Sequence, residues 1–536
     1  MKTRSPAMKT MAILTRSALL TGLCLPWLAA AQGTAGGSSA VLPVVQAGEQ
    51  GLTVNAFASM LVSSDELVRA QLLEAAIAEQ SVRGAKAVYE PFFTTSLNRD
   101  GKLLPTTAEE YFSRGGGASG TSSPVPYESQ VTQFKTAVAL KGSSGADWEL
   151  SYNLDSIVNS LQPKLGGNYI SPEYRGSLGF SLTQPLLRNF GRDVTESGIR
   201  IAEREQTIAS ETVRQMTAQR LNEGLQTYLF VQRAQQRVRW RQQALNLALQ
   251  LEQEISRQQL AGLKSNNELT EVRATLALRR VLLAQAQQDL EEQLNSLQVF
   301  FSANPNNMVN PQGSRWIPSD ELSSPAPDYA DSLKMTDAQT AFAQRPETRV
   351  IRQRIEREEF RRLFAKNQTE PELNLKLRYG KESLMDRPLP INQYLNGTTP
   401  YNAWGIGVTF RIGLDGDARK DSEYQTAVLR KSQAELSLGA TQQRIVNELQ
   451  GMKVVLERAM QQAARQAEVV TAQSDLLTAE RRMMAEGQKS LLDVLRRGIE
   501  LALAQEALTD AIAQVNRSSY VASQVNGGLL ARFRLE

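Results

Sequence analysis

The chain has 536 residues, with 60 basic and 56 acidic side chains, no histidine and one cysteine. The absence of histidine excludes Ser-His-Asp triads, histidine general bases and histidine metal ligands. We therefore expect neither an enzyme nor a metal or cofactor site. Four basic and no acidic residues lie in the first 31 positions, so the rest of the chain is formally neutral. We expect no nucleic-acid partner, because a neutral chain lacks the attraction for phosphates.

The first 31 residues have the pattern of a secretory signal peptide. Basic residues precede an apolar run from Ser17 to Leu28, and Ala29-Ala30-Ala31 supplies an A-x-A cleavage site. The only cysteine, Cys24, lies inside this leader, so we expect no disulfide in the exported chain. Residues 32–50 are rich in glycine and serine and are predicted to form a flexible lead into the fold.

A short helix precedes a strand in both halves of the chain. We predict a helix over residues 64–89, which Ser64 or Asp65 begins and Ala85-Lys86-Ala-Val-Tyr-Glu90-Pro91 ends. Related residues, Ala365-Lys366-Asn-Gln-Thr-Glu370-Pro371, end a second helix predicted from Asp337 to Asn367. These two stretches indicate an internal repeat, whose unit contains a helix that runs into a strand.

Alternation of apolar with polar or small residues follows each Glu-Pro pair. The alternating apolar positions are Phe93 and Leu97, then Leu178, Phe180 and Leu182, and in the second half Leu373, Leu375, Leu377, Tyr379, Trp404, Ile406, Val408, Phe410 and Ile412. This pattern predicts strands. Segments of about nine residues suit a membrane wall with lipid on one side and water on the other. An ordinary soluble sheet with one buried face has the same alternation, so both interpretations stay open at this point.

The first half contains more residues in its strand region than the second. Pro91 to Gly191 spans 100 residues, whereas Pro371 to Gly416 spans 45. The surplus contains two further alternating segments, around Phe134 and Trp148, which predict a hairpin. The pattern does not decide whether residues 130–156 join the main sheet or fold beside it.

Two long helical hairpins complete the repeats. Proline is absent between Pro185 and Pro305 and again after Pro400, which favours uninterrupted helix. Within these tracts Arg257-Gln-Gln-Leu-Ala-Gly262-Leu-Lys264-Ser265 reappears as Arg482-Met-Met-Ala-Glu-Gly487-Gln-Lys489-Ser490. Glycine adopts left-handed dihedral angles without strain, so we predict the two reversals at Gly262 and Gly487.

The arms of these hairpins are predicted from their length and apolar period. The first hairpin should rise from about Thr195 to Leu260 and return from Asn266 to Phe301. In the second, a seven-residue apolar repeat indicates a coiled-coil seam. Its members are Ile445, Leu449, Met452, Leu456, Ala459, Ala463, Val470 and Leu477. A weaker second apolar flank on the same helix indicates partners on two sides, as in a wall of helices that closes into a tube.

The pattern as a whole divides the chain into six segments. They are a signal peptide (1–31), an N-terminal segment (32–63), a first repeat (64–301), a proline-rich linker strapped across the helices (302–335), a second repeat (336–529) and a C-terminal tail (530–536). The predicted fold class is α+β.

Nearly all of the exported chain resembles the TolC-type outer-membrane efflux proteins. The stretches that carry the resemblance are Leu182-Thr-Gln-Pro-Leu-Leu-Arg-Asn-Phe-Gly191, Arg345-Pro346-Glu347, Ala365 to Pro371, Gly487-Gln-Lys-Ser-Leu-Leu-Asp-Val494 and the duplication itself. The resemblance implies a homotrimer in which each protomer contributes four strands to one shared β-barrel in the outer-membrane lipid, with the hairpin at residues 130–156 as a possible addition. A long α-helical coiled-coil tunnel continues the barrel through the periplasm.

The resemblance also implies roles for the hairpin tips. A periplasmic adaptor, which connects the channel to an inner-membrane pump, would dock on the tip residues Gly262, Leu263, Ser265, Gly487, Ser490 and Leu491. A polar link between Glu268 and Lys489 would hold the entrance shut, and Asp493 would contribute to a ring of carboxylates there. Arg496 stands where the family has a second aspartate, so we expect weak cation selectivity. Taken alone, Glu268 and Lys489 would be read as a solvated surface pair.

The function implied is that of a passive exit duct for efflux or type I secretion. The glycine-rich stretches lack the lysine-serine ending of a phosphate-binding loop, so the energy must come from a partner. The alternative that we keep open is a periplasmic coiled-coil structural or adaptor protein without a pore. That alternative explains the hairpins but leaves the alternating strands without a role.

Overall fold

The computed structural model describes residues 49–105, 126–159, 171–301, 315–325, 333, 336–396, 401–414 and 416–535. All of them belong to one unit, Val45–Glu536. The predicted signal peptide, most of the predicted N-terminal lead and most of the proline-rich linker lie outside the described residues.

The strands and helices are named here in chain order. The strands are β1 Glu49–Leu52, β2 Phe92–Leu104, β3 Tyr127–Lys141, β4 Asp147–Asn159, β5 Glu173–Pro185, β6 Arg315–Pro318, β7 Glu372–Met385 and β8 Tyr401–Arg411. The helices are α1 Val54–Ser64, α2 Glu66–Lys86, α3 Arg192–Thr195, α4 Ser197–Leu260, α5 Asn266–Gln298, α6 Ala338–Gln344, α7 Pro346–Gln368, α8 Ile391–Leu395, α9 Ala418–Ala485, α10 Leu491–Val525 and α11 Leu529–Arg532.

Six strands form one antiparallel sheet in the order β2-β3-β4-β5-β7-β8. The surplus hairpin of the first repeat is β3 and β4, and it lies between β2 and β5. The question left open for residues 130–156 is thereby answered within this chain, because they join the main sheet. The described sheet therefore has six strands. Four of them are the number that the resemblance implied, and the other two are the strands of the possible additional hairpin.

The sheet has one apolar and one polar face. Register partners place Leu150, Phe180 and Tyr379 side by side on one face. Their neighbours Ser151, Gly179 and Gly380 form the adjacent row on the opposite face. Side chains alternate between the two faces of a pleated sheet, so the period-two pattern of the sequence produces this separation.

Helix α8, in the connection between β7 and β8, lies against the apolar face at the end of the sheet where that connection begins. The Tyr152 hydroxyl donates a hydrogen bond to the Leu389 carbonyl over 2.7 Å, and the Tyr394 ring packs against Tyr152. Tyr394 is buried, and its hydroxyl is hydrogen-bonded to Ser383. A Cβ at Gly176 would overlap the Tyr394 hydroxyl, so only glycine fits beneath it. The β7–β8 connection therefore covers part of the apolar face.

The helices form two long antiparallel hairpins that pack side by side. Helix α4 has 64 residues and is about 96 Å long at 1.5 Å per residue. It packs against α5 of its own hairpin, against α10 of the second hairpin, and against α2 and α7. Helix α9 packs against α10 and α7. Six of the eight predicted seam residues of α9 are buried, and they include Ile445, Leu456 and Leu477.

A layer of charged residues connects α4 to α10. Arg241 Nε lies 2.7 Å from Glu506 Oε2, and Glu506 is only 7% exposed. Arg237 lies 3.3 Å from Asp289 of α5 and 3.2 Å from Asp510 of α10. Removing one partner of the buried Arg241–Glu506 pair leaves an uncompensated charge, so this contact holds the two hairpins against each other.

The largest apolar cluster in the described part of the chain lies where α1 packs against the middle of α4. Phe57, Leu61, Leu221 and Leu225 have no exposed surface. The Tyr228 hydroxyl donates a hydrogen bond to the Leu52 carbonyl over 2.7 Å. Burial and the nearby Asp320 carboxylate raise its pKa well above the ordinary value. Strand β6 of the proline-rich linker pairs in parallel with β1 beside this cluster.

The prediction of one continuous helix from Asp337 to Asn367 is wrong at Arg345. The structure has two helices there, α6 and α7, with Arg345 in an extended conformation between them and Pro346 at the first position of α7. The proline ring disfavours helical dihedral angles for the residue before it, and its missing N–H is tolerated at a helix start. The Arg-Pro-Glu signature therefore ends one helix and begins another.

Among the described residues, no helix is long and apolar enough to cross a membrane.

Gly224 provides a test of the packing between α1 and α4. A Cβ at this position would overlap Leu61 and would lie 3.2 Å from the Phe57 ring, both fully buried. We predict that Gly224→Ala destabilises the protein by about 1–3 kcal/mol through overpacking. The matched control is Gly439→Ala in α9, where a Cβ meets nothing within 4 Å. The control should stabilise its helix by up to about 1 kcal/mol.

Circular dichroism during heating measures both variants. The midpoint should fall for Gly224→Ala and should not fall for Gly439→Ala. Equal midpoints for the two variants would contradict the close approach of α1 to Gly224.

Candidate functional site at the hairpin tips

The two hairpins reverse direction with the same backbone geometry. Gly262 has φ +76° and Gly487 has φ +78°, as the repeated motif predicts. The Leu263 amide donates to the Gln258 carbonyl, and the Gln488 amide donates to the Met483 carbonyl, each over 2.8 Å. These bonds form the six-to-one pattern of a Schellman motif, in which glycine occupies the left-handed position.

A capping box starts the second helix of each hairpin. Ser265 Oγ accepts from the Glu268 amide over 3.2 Å, and the Glu268 carboxylate accepts from the Ser265 amide over 2.9 Å. Ser490 and Asp493 make the same reciprocal pair at the other tip. The boxes satisfy amides that a helix start otherwise leaves without partners. Four predicted site residues, Ser265, Glu268, Ser490 and Asp493, therefore have a structural role.

Both capping carboxylates have lowered pKa values. Lys264 lies 2.8 Å from Glu268 Oε1, and its hydrogen bond, followed by the Ser265 amide, lowers the pKa of Glu268 to about 2. The pKa of Asp493 is lowered by its hydrogen bonds from Ser490, with smaller contributions from Lys489 and Arg496. A depressed pKa means that this stabilisation is present above the ordinary pKa and is lost as the pH falls through the lowered value. Both groups are therefore charged at neutral pH.

The predicted link between Glu268 and Lys489 is not formed in the described part of one chain. Glu268 is paired with Lys264, and Lys489 is exposed and makes no ion pair with the described residues. A link between Lys489 and Glu268 of a neighbouring copy stays a prediction. Asp493 occupies in the second tip the position that Glu268 occupies in the first, and its side chain is one methylene shorter. Lys489 therefore has no ion-pair partner four residues later, whereas Lys264 has Glu268.

Sequence reasoning did not assign Lys264 a role, although the signal was present. Lys264 directly precedes the N-cap Ser265 and Glu268 lies in the first turn of α5, so the two side chains meet across the helix start. The pair also occupies the same motif position as Lys489 and Asp493. Comparing the two copies residue by residue would have identified the difference between the tips.

The two arginines after Asp493 point to different surroundings. Arg496 is exposed and forms no ion pair with the described residues. Arg497 lies 3.2 Å from Glu480 of α9 and also contacts Glu500 and Gln473. Of the two arginines, Arg496 is therefore the one that is free to add positive charge beside Asp493, as Lys489 also does.

An apolar cluster holds the two tips together, while other apolar side chains remain exposed. The buried members come from α4, α5 and α10 and are Leu251, Ile255, Leu269, Val272, Leu492 and Leu495. At the ends of the hairpins Leu260 is 82% exposed, Leu263 74% and Leu491 40%. These leucines leave apolar surface uncovered at both tips of the single chain.

No family model matches the sequence, and no curated protein matches it. Solved structures are similar over most of the chain. The Campylobacter jejuni CmeC outer membrane channel is 14% identical, with 89% of this chain and 86% of that chain covered and a TM-score of 0.58. For the outer membrane protein VceC from Vibrio cholerae, identity is 13%, coverage is 89% and 96%, and the TM-score is 0.57. The open Neisseria gonorrhoeae MtrE outer membrane channel is 12% identical, with 89% of each chain covered and a TM-score of 0.56.

This chain has the outer-membrane-channel fold. The resemblance to TolC-type proteins is thereby confirmed at the level of the fold. The similarity covers both the strand region and the helical hairpins, because nearly nine tenths of the chain is aligned. Among the described residues, no group of three acidic, cysteine or histidine side chains is placed to hold a metal ion.

The capping boxes of this outer-membrane-channel fold lead to a test at Ser490. Replacing its hydroxyl removes a hydrogen bond to the helix start, which typically destabilises a helix by about 1 kcal/mol. We predict that Ser490→Ala increases amide hydrogen exchange in the first turn of α10, measured by mass spectrometry. The control Ser490→Thr keeps a capping hydroxyl and should exchange like the parent. Unchanged exchange in Ser490→Ala would show that the box does not order the tip.

Proposed function

We propose that this protein is the outer-membrane exit duct of a tripartite efflux or type I secretion system. In this proposal three copies form one passive channel, with the sheet in the outer membrane and the helical hairpins in the periplasm. A periplasmic adaptor and an inner-membrane pump open it and supply the energy. The observation that carries the proposal is the similarity, over most of the chain, to solved outer membrane channels.

The two faces of the sheet support a position in the membrane. Large apolar side chains on one face are exposed in the single chain, with Leu97 at 71%, Ile406 at 70% and Trp404 at 76%. A soluble protein rarely leaves such a face uncovered, whereas lipid would cover it. The opposite face contains a cavity of about 460 Å³ whose lining includes Ser151, Asn153, Ser177, Ser181, Arg378 and Glu382. That polar lining suits water.

Unpaired strand edges support assembly with further copies. Strands β2 and β8 are the two edges of the sheet, and every residue of β2 is exposed. A long unpaired edge promotes pairing with another chain, and closure of a sheet removes it. The formally neutral exported chain presents no large net charge against self-association. A homotrimer meets these requirements.

The tips are the proposed docking site for the adaptor. Gly262, Leu263 and Ser265 at one tip correspond to Gly487, Gln488 and Ser490 at the other, and both turns have the same hydrogen-bond pattern. Leu491 adds a partly exposed apolar side chain at the second tip. Rigid turns with exposed leucines would allow one adaptor surface to recognise both tips.

The proposed entrance combines Asp493 with positive charge. A ring of three Asp493 carboxylates would attract cations, and three exposed Arg496 side chains would oppose that field. Lys489, which has no ion pair within the described chain, would be available to Glu268 of a neighbouring copy. These assignments rest on the tip geometry and on the resemblance.

A periplasmic coiled-coil protein without a pore is the weaker alternative. A protein of that kind would use the helical hairpins. It would have no use for a six-stranded sheet with an exposed apolar face. The solved structures that align with both regions also favour the channel.

Fractionation and electron microscopy test the proposed function. We predict that the protein is recovered with the outer membrane and that detergent-purified particles are heat-modifiable trimers with a central bore. Release with the periplasmic fraction, or solid particles without a bore, would refute the channel and favour the coiled-coil alternative. A trimer of known outer-membrane location serves as the control for the fractionation.

Single-channel recording in planar bilayers tests the gate. Lys489→Ala should raise the conductance of the isolated trimer, because it removes the basic partner of the proposed link to Glu268. Lys420→Ala is the control, since Lys420 pairs with Glu423 at the opposite end of α9 from the tip and its loss should leave conductance nearly unchanged. Equal conductance of the parent and Lys489→Ala would make Lys489 a surface residue only.

In asymmetric KCl the parent should show weak cation selectivity, and strong selectivity would contradict the proposed effect of Arg496.

A further inference from the structure

We propose that the inserted hairpin β3–β4 is part of the membrane wall, and that β8 of one copy pairs with β2 of the next. Three copies would then close an eighteen-stranded barrel. This inference rests on the proposed trimeric channel and specifies how its copies meet. It differs from the expectation of four strands per copy, which would give twelve.

Continuous pairing places the hairpin in the wall. Strand β3 pairs with β2 through thirteen residues and with β4 through thirteen, and β4 pairs with β5 through eleven. Both edges of the hairpin are therefore occupied along nearly their full length. Strands β2 and β5 lie three positions apart and cannot pair directly while the hairpin stands between them.

The apolar residues of β3 and β4 lie on the same face of the sheet as those of the neighbouring strands. One row across the sheet has a large apolar residue in every strand, namely Phe93, Val138, Leu150, Phe180, Tyr379 and Trp404. The next row lies on the opposite face and has small residues throughout, namely Thr94, Ala137, Ser151, Gly179, Gly380 and Ala403. A shift of one residue in any pairing would reverse the faces of that strand. The two strands of the insertion thus present apolar residues to the same side as the other four.

The hairpin needs an apolar surrounding on that side. Phe134 is 37% exposed, Leu140 44% and Trp148 37% in the single chain. A hairpin folded against the outside of a separate wall would bury these side chains against protein. Helix α8 covers Tyr152 of β4, and lipid contact explains why the apolar positions of β3 and β4 beyond that point continue without a protein cover.

The direction of the edge strands permits closure. In an antiparallel sheet of six strands the first and last strands run in opposite directions. Strand β8 of one copy therefore meets β2 of the next in the antiparallel sense, and the pattern continues around the ring. Strand β2 has 13 residues and β8 has 11, lengths that span a bilayer when the strands are tilted. In lipid an unpaired edge leaves backbone groups without partners, so pairing between copies is required.

Strand number sets the width of the exit. With strands about 4.8 Å apart and tilted by about 40°, eighteen strands give a backbone diameter of about 36 Å and twelve give about 24 Å. The proposed barrel is therefore about 1.5-fold wider than one built from four strands per copy. Single-chain barrels of this strand number enclose an aqueous channel.

Disulfide cross-linking of the intact protein tests the arrangement, and the chain offers a clean background because Cys24 is its only cysteine. In a Cys24→Ser background, Ser96→Cys in β2 is combined in turn with Gly405→Cys, Gly407→Cys and Thr409→Cys in β8. These positions share the polar face, and one pair should come within disulfide reach between copies. Oxidation should then give dimer and trimer bands on denaturing gels. The control Leu97→Cys with Thr409→Cys places the thiols on opposite faces and should give none.

A second set of pairs tests the position of the hairpin. Asn153→Cys with Ser177→Cys should form a disulfide within one chain, because these side chains are hydrogen-bonded over 3.2 Å across β4 and β5. Ser96→Cys combined with Ser177→Cys or with Ser181→Cys should form none. A disulfide between β2 and β5 would show that the two strands are neighbours and would overturn the inference.

Electron microscopy of the trimer in nanodiscs separates failure of the inference from failure of the proposed function. A trimer with a barrel about 36 Å across supports the inference, whereas a trimer about 24 Å across refutes it and leaves the exit duct intact. Particles without threefold symmetry or a bore would refute the proposed function itself.

Discussion

The contact between α4 and α10 is the interaction on which the rest of the structure depends. Helix α4 belongs to the first repeat and α10 to the second, so their interface joins the two halves of the molecule. Apolar residues hold the interface near the tips, and the pairing of Arg237 and Arg241 with Glu506 and Asp510 holds it farther up. Helix α4 ends at the first hairpin tip and α10 begins at the second, so their contact also fixes the two turns relative to each other. It likewise fixes the strands from which the two hairpins continue.

Much of the fold follows from local patterns in the sequence. The reversals at Gly262 and Gly487 were predicted because glycine alone combines a left-handed φ with no steric penalty in a proline-free helical tract. The buried seam of α9 was predicted from its seven-residue period, and Ile445, Leu449 and Leu456 are indeed buried. Periodicity is decisive for α9 because its buried residues recur on one face along most of its length.

Other features could not be predicted, because they depend on long-range contacts. Strand β1 and the linker strand β6 have four residues each, too few for a period, and they pair over a sequence separation of more than 250 residues. The place of β3–β4 depends on which strand edges meet, and alternation alone says nothing about neighbours. Lys264 was missed for a different reason. The resemblance pairs Glu268 with Lys489 of the other tip, whereas the structure pairs it with Lys264 of its own turn.

The two tips also have a thermodynamic consequence for any protein that binds them. Each turn is closed by a Schellman pattern and a reciprocal serine–carboxylate cap, so its backbone is already ordered before a ligand arrives. Association normally loses affinity when loops must be immobilised at the interface, and a preorganised loop avoids most of that entropic loss. A protein that bound the hairpin ends would therefore lose little affinity to the ordering of these turns.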